Sequence, residues 1–225
     1  DRPLALPESD LPGLAFAALT KGIESRGKAE SHATERELVA YSRMVLHYVQ
    51  LVLDLAAQHG VKIIATVVDR DAPRPPAGLL RKDYVYLFQR YFYLLEKLPP
   101  RERGLVVFDE LEKAKAHILV QQMAEYFLRS EKGKFRSSRI VPEPFFVHSE
   151  LTTGVFVADL AAYILGWGWR LGKMRQPARP ELKPYADMLH QMQFRGEEPD
   201  DQSEATRPLF GIVYLDDLRG MQQKK

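Results

Sequence analysis

Two short apolar stretches, VKIIATVVD at 61–69 and GLVVFD at 104–109, decide the fold class of this 225-residue chain. Both are rich in β-branched residues, and a continuous apolar run of this length is typical of a strand buried on both faces. A helical pattern follows each of them, at 79–98 and at 111–128. The alternation of strand and helix predicts parallel strands joined by right-handed crossovers. We therefore expect an α/β fold.

The remaining segments are predicted from apolar periodicity and from breaker residues. A long helix should begin after Thr34 and end at Gly60, and its nearly uniform apolar character predicts that it is buried. Pro142 and Pro144 restrict the next apolar segment to an edge-like or irregular strand. The other predicted elements are a buried strand at 12–20, helices at 152–170 and 181–194, and a last strand at 209–215.

Composition excludes several classes of protein. The absence of cysteine excludes a disulfide scaffold and any site built on thiolates. The 32 basic and 30 acidic side chains nearly cancel, so nucleic-acid binding would have to rest on local patches. The apolar stretch at 155–169 is too short for a membrane span and carries Asp159. With no signal-peptide pattern after Asp1, we expect a soluble, cytoplasmic protein with no membrane partner, folded as one domain over 1–225, with 173–225 as a C-terminal extension.

Three aspartates interrupt apolar segments and are the candidate metal ligands. Asp69 and Asp109 each end a predicted strand, and sites in open α/β sheets form outside the carboxyl ends of strands. Asp159 is the one charged residue between Leu151 and Trp169, and burying a lone carboxylate costs several kcal/mol without a partner. Carboxylates suit hard divalent cations, so converging aspartates predict a Mg²⁺ or Mn²⁺ site that activates water on a phosphodiester.

Each of these aspartates also has a structural interpretation. Asp69, next to Arg70, could be a solvated strand end, and Asp109 could cap the following helix. Asp159 could be satisfied by backbone amides or by an arginine. His32, His148 and the YLDD sequence at 214–217 are weaker candidates, which a polar surface or a plain strand end explains equally well.

Two basic clusters could hold phosphates without reading base sequence. The first, RSEKGKFRSSR at 129–139, contains four side chains that we expect to contact a nucleic-acid backbone: Lys132, Lys134, Arg136 and Arg139. The second lies at 173–183. The structural alternative for both is a solvated loop. An acidic run at 197–204 offsets their charge in the total, which is why the chain looks nearly neutral.

The segment PEPFFVHSELTTGVFVADLAAYILGW at 142–167 resembles the C-terminal hallmark of the domain of unknown function 3800 family, whose helix bears an Ala-Asp-Leu core. The stretches ESHA (30–33), IATVVD (64–69) and GLVVFDE (104–110) fit the same order, so the resemblance covers roughly 12–172. It implies an RNase H-like fold: a mixed five-stranded sheet with helices on both faces and a carboxylate-bound Mg²⁺ or Mn²⁺.

Two departures from that family stand in this sequence. No Asp-Glu-Ser signature, which the family carries on its first strand, occurs before Pro12. If that strand precedes Asp1, the site can be complete; if it is absent, a catalytic ligand and a central strand are missing together. Phe156 replaces the polar residue that usually stands three positions before the helix aspartate.

The leading functional hypothesis is a divalent-metal-dependent nuclease, a hydrolase in which Asp69, Asp109 and Asp159 bind the cation. Glu30 would be an accessory carboxylate that orients water. The competing hypothesis is a non-catalytic RNase H-like module that binds nucleic acid or protein, an accessory of a bacterial mobile-element or defence system. A third is homo-oligomerisation through the aromatic helix at 79–98, for which core packing is the structural alternative.

Overall fold

The computed structural model describes residues 6–25, 32–76, 78–170, 174, 178–200 and 205–220. The chain divides into two compact units, Asp1–His59 and Gly60–Lys225. Within the described residues of the second unit, the last strand pairs with the first one. None of the described helices has the length and apolar character that crossing a membrane requires.

Helices and strands are mixed throughout the second unit, as the α/β prediction requires. The helices are α1 (Leu11–Glu24), α2 (Glu35–Gln58), α3 (Lys82–Leu95), α4 (Lys113–Arg129), α5 (Glu131–Arg136), α6 (Thr153–Gly168) and α7 (Lys183–Met192). The strands are β1 (Ala65–Val68), β2 (Gly104–Asp109), β3 (Ile140–Val147), β4 (Arg195–Pro199), β5 (Thr206–Phe210) and β6 (Ile212–Leu215).

The first unit contains α1 and α2, and α1 corrects one prediction. The apolar run at 12–20 forms a helix instead of a strand. Alanines favour a helix and Pro12 is tolerated in its first turn, whereas periodicity cannot separate a short apolar strand from a short helix. The predicted long helix is present as α2, but most of it is not buried: Leu38, for example, keeps 47% of its surface exposed.

A capping box fixes the start of α2. Thr34 Oγ1 accepts a bond from the Glu37 amide at 3.4 Å, while the Thr34 amide donates to the Glu37 carboxylate at 2.7 Å. Lys21 of α1 donates to the same carboxylate at 2.8 Å, which ties the two helices together. The Lys21 ammonium, followed by the Thr34 amide, lowers the pKa of Glu37 below its ordinary value.

Thr34→Ala is expected to lower the free energy of unfolding of the first unit by about 1 kcal/mol, since one orphan amide of the first turn loses its acceptor. Chemical denaturation followed by circular dichroism measures this loss. Ser42→Ala is the matched control, because that hydroxyl bonds to the Leu38 carbonyl inside the same helix and offsets no orphan group. A Thr34 variant as stable as the Ser42 variant would contradict the capping role.

The strands of the second unit form three two-stranded sheets in the described residues. β1 pairs with β6 and β2 pairs with β3, both in parallel, whereas β4 and β5 form an antiparallel hairpin. They are not joined in the mixed five-stranded sheet that the resemblance implied. β1 is half-buried along its whole length, so it is not the fully covered central strand that its sequence predicted.

The prolines of β3 explain the irregular pairing that the sequence predicted. Gly104 pairs with Ile140, but Val106 pairs with Pro144, so two extra residues bulge out of β3 between these pairs. Pro142 lies in the bulge, where its missing N–H costs no ladder bond.

The main core of the second unit lies between α3, α4 and β3. Its fully buried members are Phe88, Phe92, Leu95, Leu119, Met123, Phe127 and Ile140. Tyr84 stacks edge-on against Phe108 with 6.1 Å between ring centroids, and Phe88 lies 5.0 Å from Phe127. Among the aromatic residues of α3, Phe88 and Phe92 thus belong to this core, and Tyr84, Tyr91 and Tyr93 pack against it.

Candidate functional site

Asp69 is the best-organised of the three aspartates. It follows β1, and its amide donates to the Leu215 carbonyl at 2.8 Å, which extends the pairing with β6 by one residue. Its carboxylate accepts a bond from the Asp71 amide at 2.9 Å and another from the Tyr214 hydroxyl of β6. The half-buried carboxylate is thus held in one orientation by two neighbouring segments.

A cavity of about 490 Å³, here called the carboxylate cleft, opens beside Asp69. One wall is β1 with the turn after it, and the other is helix α6. Small residues of α6, Ala162 and Gly166, line the second wall and leave the space open. Its full lining is Ala65, Thr66, Val67, Val68, Asp69, Arg70, Asp71, Ala162, Leu165, Gly166, Met174 and Tyr214.

Asp159 lies on α6 one turn before Ala162, on the helix face that also carries Gly166. Its carboxylate is exposed, so the predicted desolvation cost does not arise. It does not line the carboxylate cleft itself. A cation or a phosphate-bearing ligand could reach it from solvent.

Asp109 ends β2 and is also exposed. Its carboxylate accepts bonds from the Glu110 amide at 2.9 Å and from the Ser149 amide, beyond the end of β3, at 3.2 Å. Asp109 therefore does not cap α4, which was the structural alternative, but accepts a bond from the turn after β3. His148 lies 2.7 Å from the Glu110 carboxylate in an exposed pair.

The elements that carry the three aspartates are in contact, because α6 packs against both β1 and β2. Their carboxylates supply the oxygen donors that Mg²⁺ and Mn²⁺ prefer. However, no three His, Asp or Glu side chains are grouped closely enough to hold a metal ion among the residues that the structure describes. The carboxylates are therefore the right type of donor for a divalent cation, but too few of them lie close together in the described part of the chain to form a complete set of ligands. Glu30 lies outside the described residues.

The four basic residues predicted to hold a nucleic-acid backbone separate into two pairs. Lys132 and Lys134 are exposed on α5, whereas Arg136 and Arg139 are both 6% exposed. The Arg139 guanidinium donates to the Pro99 carbonyl at 3.1 Å, to the Leu98 carbonyl at 2.9 Å and to the Leu95 carbonyl. Because it binds the last carbonyls of α3, Arg139 is a structural residue and is not presented to a ligand.

Sequence reasoning missed Tyr214 and Asp71, which fix the Asp69 carboxylate. The sequence predicts only a plain strand end at Tyr214. The parallel register pairs Val67 with Tyr214, and this brings the Tyr214 hydroxyl to Asp69. The neighbouring Asp217 forms a bidentate pair with Arg219 and stays a local turn residue. The signal that could have identified Tyr214 is its place at the end of the last apolar strand, at the same sheet edge as Asp69.

Comparisons with models of protein families, with curated proteins and with solved structures found no significant match to this chain.

Proposed function

We propose that the chain is an RNase H-like enzyme that cleaves phosphodiester bonds of nucleic acid with the help of Mg²⁺ or Mn²⁺. One observation carries the proposal: Asp69 follows β1, Asp109 ends β2, and the helix that bears Asp159 packs against both strands. The three acids lie on contacting elements, Asp69 lines an open cleft, and their carboxylates are the donor type that such chemistry needs. The resemblance of 142–167 to the domain of unknown function 3800 family supports the same reaction class.

A Mg²⁺ site does not require three grouped carboxylates, which the described residues do not provide. Mg²⁺ keeps several waters and takes one or two carboxylates, with substrate phosphates completing its coordination. In this proposal one or two of Asp69, Asp109 and Asp159 would bind the cation directly, and water would complete its coordination. A bound cation of this kind lowers the pKa of water and stabilises a phosphate leaving oxygen.

The other residues of the cleft would position the substrate. Tyr214 and the Asp71 amide hold the Asp69 carboxylate in a fixed orientation, so little reorganisation is needed when the ligand binds. Arg70 is exposed at the same cleft and can pair with a phosphate. Lys132 and Lys134 remain proposed contacts to the nucleic-acid backbone.

The test is a cleavage assay on single- and double-stranded DNA and RNA with Mg²⁺, Mn²⁺ or EDTA. We expect cleavage of at least one substrate that EDTA abolishes. Asp109→Asn and Asp159→Asn should each lower the rate by about 100-fold or more, the loss expected when one charge-stabilising group is removed. Both aspartates are exposed, so these variants should fold.

Asp187→Asn is the matched control, because Asp187 is an exposed α7 carboxylate paired only locally with Lys183. It should cleave at the wild-type rate. Cleavage unchanged in both Asp109→Asn and Asp159→Asn would remove the carboxylates from the mechanism.

A second candidate function is a non-catalytic RNase H-like module that binds nucleic acid. It is favoured by the internal bonds of Asp69 and Asp109 and by the absence of a three-ligand group among the described residues. Isothermal titration with Mn²⁺ separates the candidates. The module predicts no heat of cation binding and no cleavage, with nucleic-acid binding retained, whereas the enzyme predicts heat that Asp159→Asn diminishes.

A further inference from the structure

A second cavity, of about 480 Å³, lies between α3, α5 and the β4–β5 hairpin. We call it the arginine cavity. Its lining is Leu80, Lys82, Val85, Tyr86, Gln89, Arg90, Lys132, Arg136, Glu198, Arg207, Pro208, Leu209 and Gly220. None of these residues lines the carboxylate cleft. The two cavities are therefore separate sites.

The charge of the arginine cavity is strongly one-sided. Among the described residues, its basic side chains are Lys82, Arg90, Lys132, Arg136 and Arg207, and its acidic side chain is Glu198. Glu198 is 5% exposed and already accepts bonds from Arg207 and Gln89. Its charge is thus engaged at one side of the cavity by Arg207 and Gln89.

Arg136 is the best-placed donor. Its side chain is buried, and Nη1 donates to the Val85 carbonyl at 3.3 Å and to the Tyr126 hydroxyl. In the described part of the chain, its Nε and Nη2 have no protein acceptor, yet they are not sealed from solvent. Since Arg136 lines the cavity, these donors are available to a ligand there.

Arg90 presents a second buried guanidinium to the same space. Its Nε donates to the Phe210 carbonyl at 2.6 Å, and Nη1 donates to Tyr86 and Gln89 oxygens, so these bonds fix the orientation of the group. Within the described residues, Nη2 has no protein acceptor. Burial lowers the pKa of Arg90 to about 10, so the group stays charged at neutral pH.

Two buried guanidinium groups in one cavity are costly, because burial removes the water that would solvate them, and Arg136 repels Arg90 while the single carboxylate of Glu198 attracts it. An anion in the cavity would offset this cost. The fork of guanidinium donors matches both carboxylate and phosphate, but a phosphate monoester carries nearly two charges and so can neutralise two guanidinium groups at once. Such charge-assisted bonds are about twice as strong as neutral ones. The volume is in the range of small-molecule sites, and Tyr86, Leu80 and Val85 offer apolar surface for the rest of a ligand.

We propose that the arginine cavity binds a small phosphate-bearing anion of mononucleotide size, whose phosphate is held by Arg90 and Arg136. This site is independent of the carboxylate cleft and goes beyond the proposed cleavage reaction. It also explains why Arg136, unlike Lys132 and Lys134, is buried: it binds a ligand that enters the fold instead of a polymer that lies along its surface.

The experiment is isothermal titration of the full chain with AMP and, separately, with adenosine, which lacks only the phosphate. We expect AMP to bind and adenosine to bind at least tenfold more weakly. Arg136→Gln should weaken AMP binding by about tenfold or more, since a hydrogen bond to a charged group is lost. Lys115→Gln, a change at an exposed lysine of α4 that pairs with Glu112, should bind AMP like the wild type.

Lys82→Gln covers the case in which Arg136→Gln fails to fold. Lys82 is half-buried and lines the cavity, with its ammonium 5.6 Å from the Tyr86 ring centroid. Its loss should weaken AMP binding severalfold while circular dichroism stays unchanged. The proposal is overturned if AMP does not bind, if adenosine binds as tightly as AMP, or if Lys82→Gln binds AMP as tightly as Lys115→Gln.

Discussion

Arg139→Met is expected to lower the free energy of unfolding of the second unit by about 2–4 kcal/mol. Methionine fills much of the same volume but donates no hydrogen bond. The carbonyls of Leu95, Leu98 and Pro99 would lose the guanidinium that satisfies the end of α3. The Leu95 and Pro99 carbonyls also accept bonds from the Leu98 and Glu102 amides, both at 2.9 Å, so the Leu98 carbonyl depends most on Arg139.

The pair with Glu96 contributes less to this loss. Arg139 Nε lies 3.2 Å from the Glu96 carboxylate, but Nε makes no aligned hydrogen bond there. Glu96 is half-exposed, which screens the attraction. We therefore attribute most of the effect to the helix carbonyls.

Urea denaturation monitored by tryptophan fluorescence measures the loss, with Arg129→Met as the control. Arg129 is an exposed arginine of α4 paired with Glu125, and its replacement should change the stability by no more than about 0.5 kcal/mol. Equal stabilities for the two variants would show that Arg139 does not stabilise the end of α3.

The sequence was sufficient to predict the elements whose ends are chemically marked. Thr34 and Glu37 mark the start of α2, and the apolar run at 104–109 gives β2 with the predicted bounds. The prediction failed at 12–20, because a short apolar run of this kind is compatible with either a helix or a strand. Strand pairing depends on contacts between distant segments, which explains why the two-stranded sheets could not be derived from local sequence.

The candidate site was only partly accessible to the same reasoning. Asp69 and Asp109 were identified because a charge at the end of an apolar strand is locally visible. The separation of Arg136 and Arg139 from the exposed Lys132 was not visible, because a run of basic residues does not reveal which side chains turn inward. Burial decides this, and burial depends on α3 and on the hairpin that pack around α5.

The predicted strand at 209–215 is broken at Gly211, and this break gives the second large expected effect. The Gly211 amide donates to the Phe194 carbonyl at 2.7 Å, while its carbonyl accepts a bond from the Ala65 amide at 3.0 Å. The Phe194 amide in turn donates to the Ile63 carbonyl at 2.9 Å. Gly211 therefore joins the start of β1, the segment after α7 and the start of β6.

Gly211→Ala is expected to lower the free energy of unfolding by about 3 kcal/mol or more, the range of large strain effects. An added Cβ would lie 2.3 Å from the Ile63 carbonyl oxygen and 2.7 Å from the Phe194 amide nitrogen. Both contacts are backbone atoms, which cannot rotate away as a flexible side chain can. Relief requires β1 and β6 to separate, which would also shift Asp69 and Tyr214 at the far end of the same pair.

Gly166→Ala provides the matched control in the thermal unfolding experiment. Gly166 lies inside α6, and a Cβ there meets nothing within 4 Å. Alanine should stabilise the helix by about 0.5–1 kcal/mol, so the two glycine variants should shift the melting temperature in opposite directions. A melting temperature of Gly211→Ala equal to that of the wild type would contradict the register of β1 and β6. It would also contradict the hydrogen bond between Tyr214 and Asp69, which depends on that register.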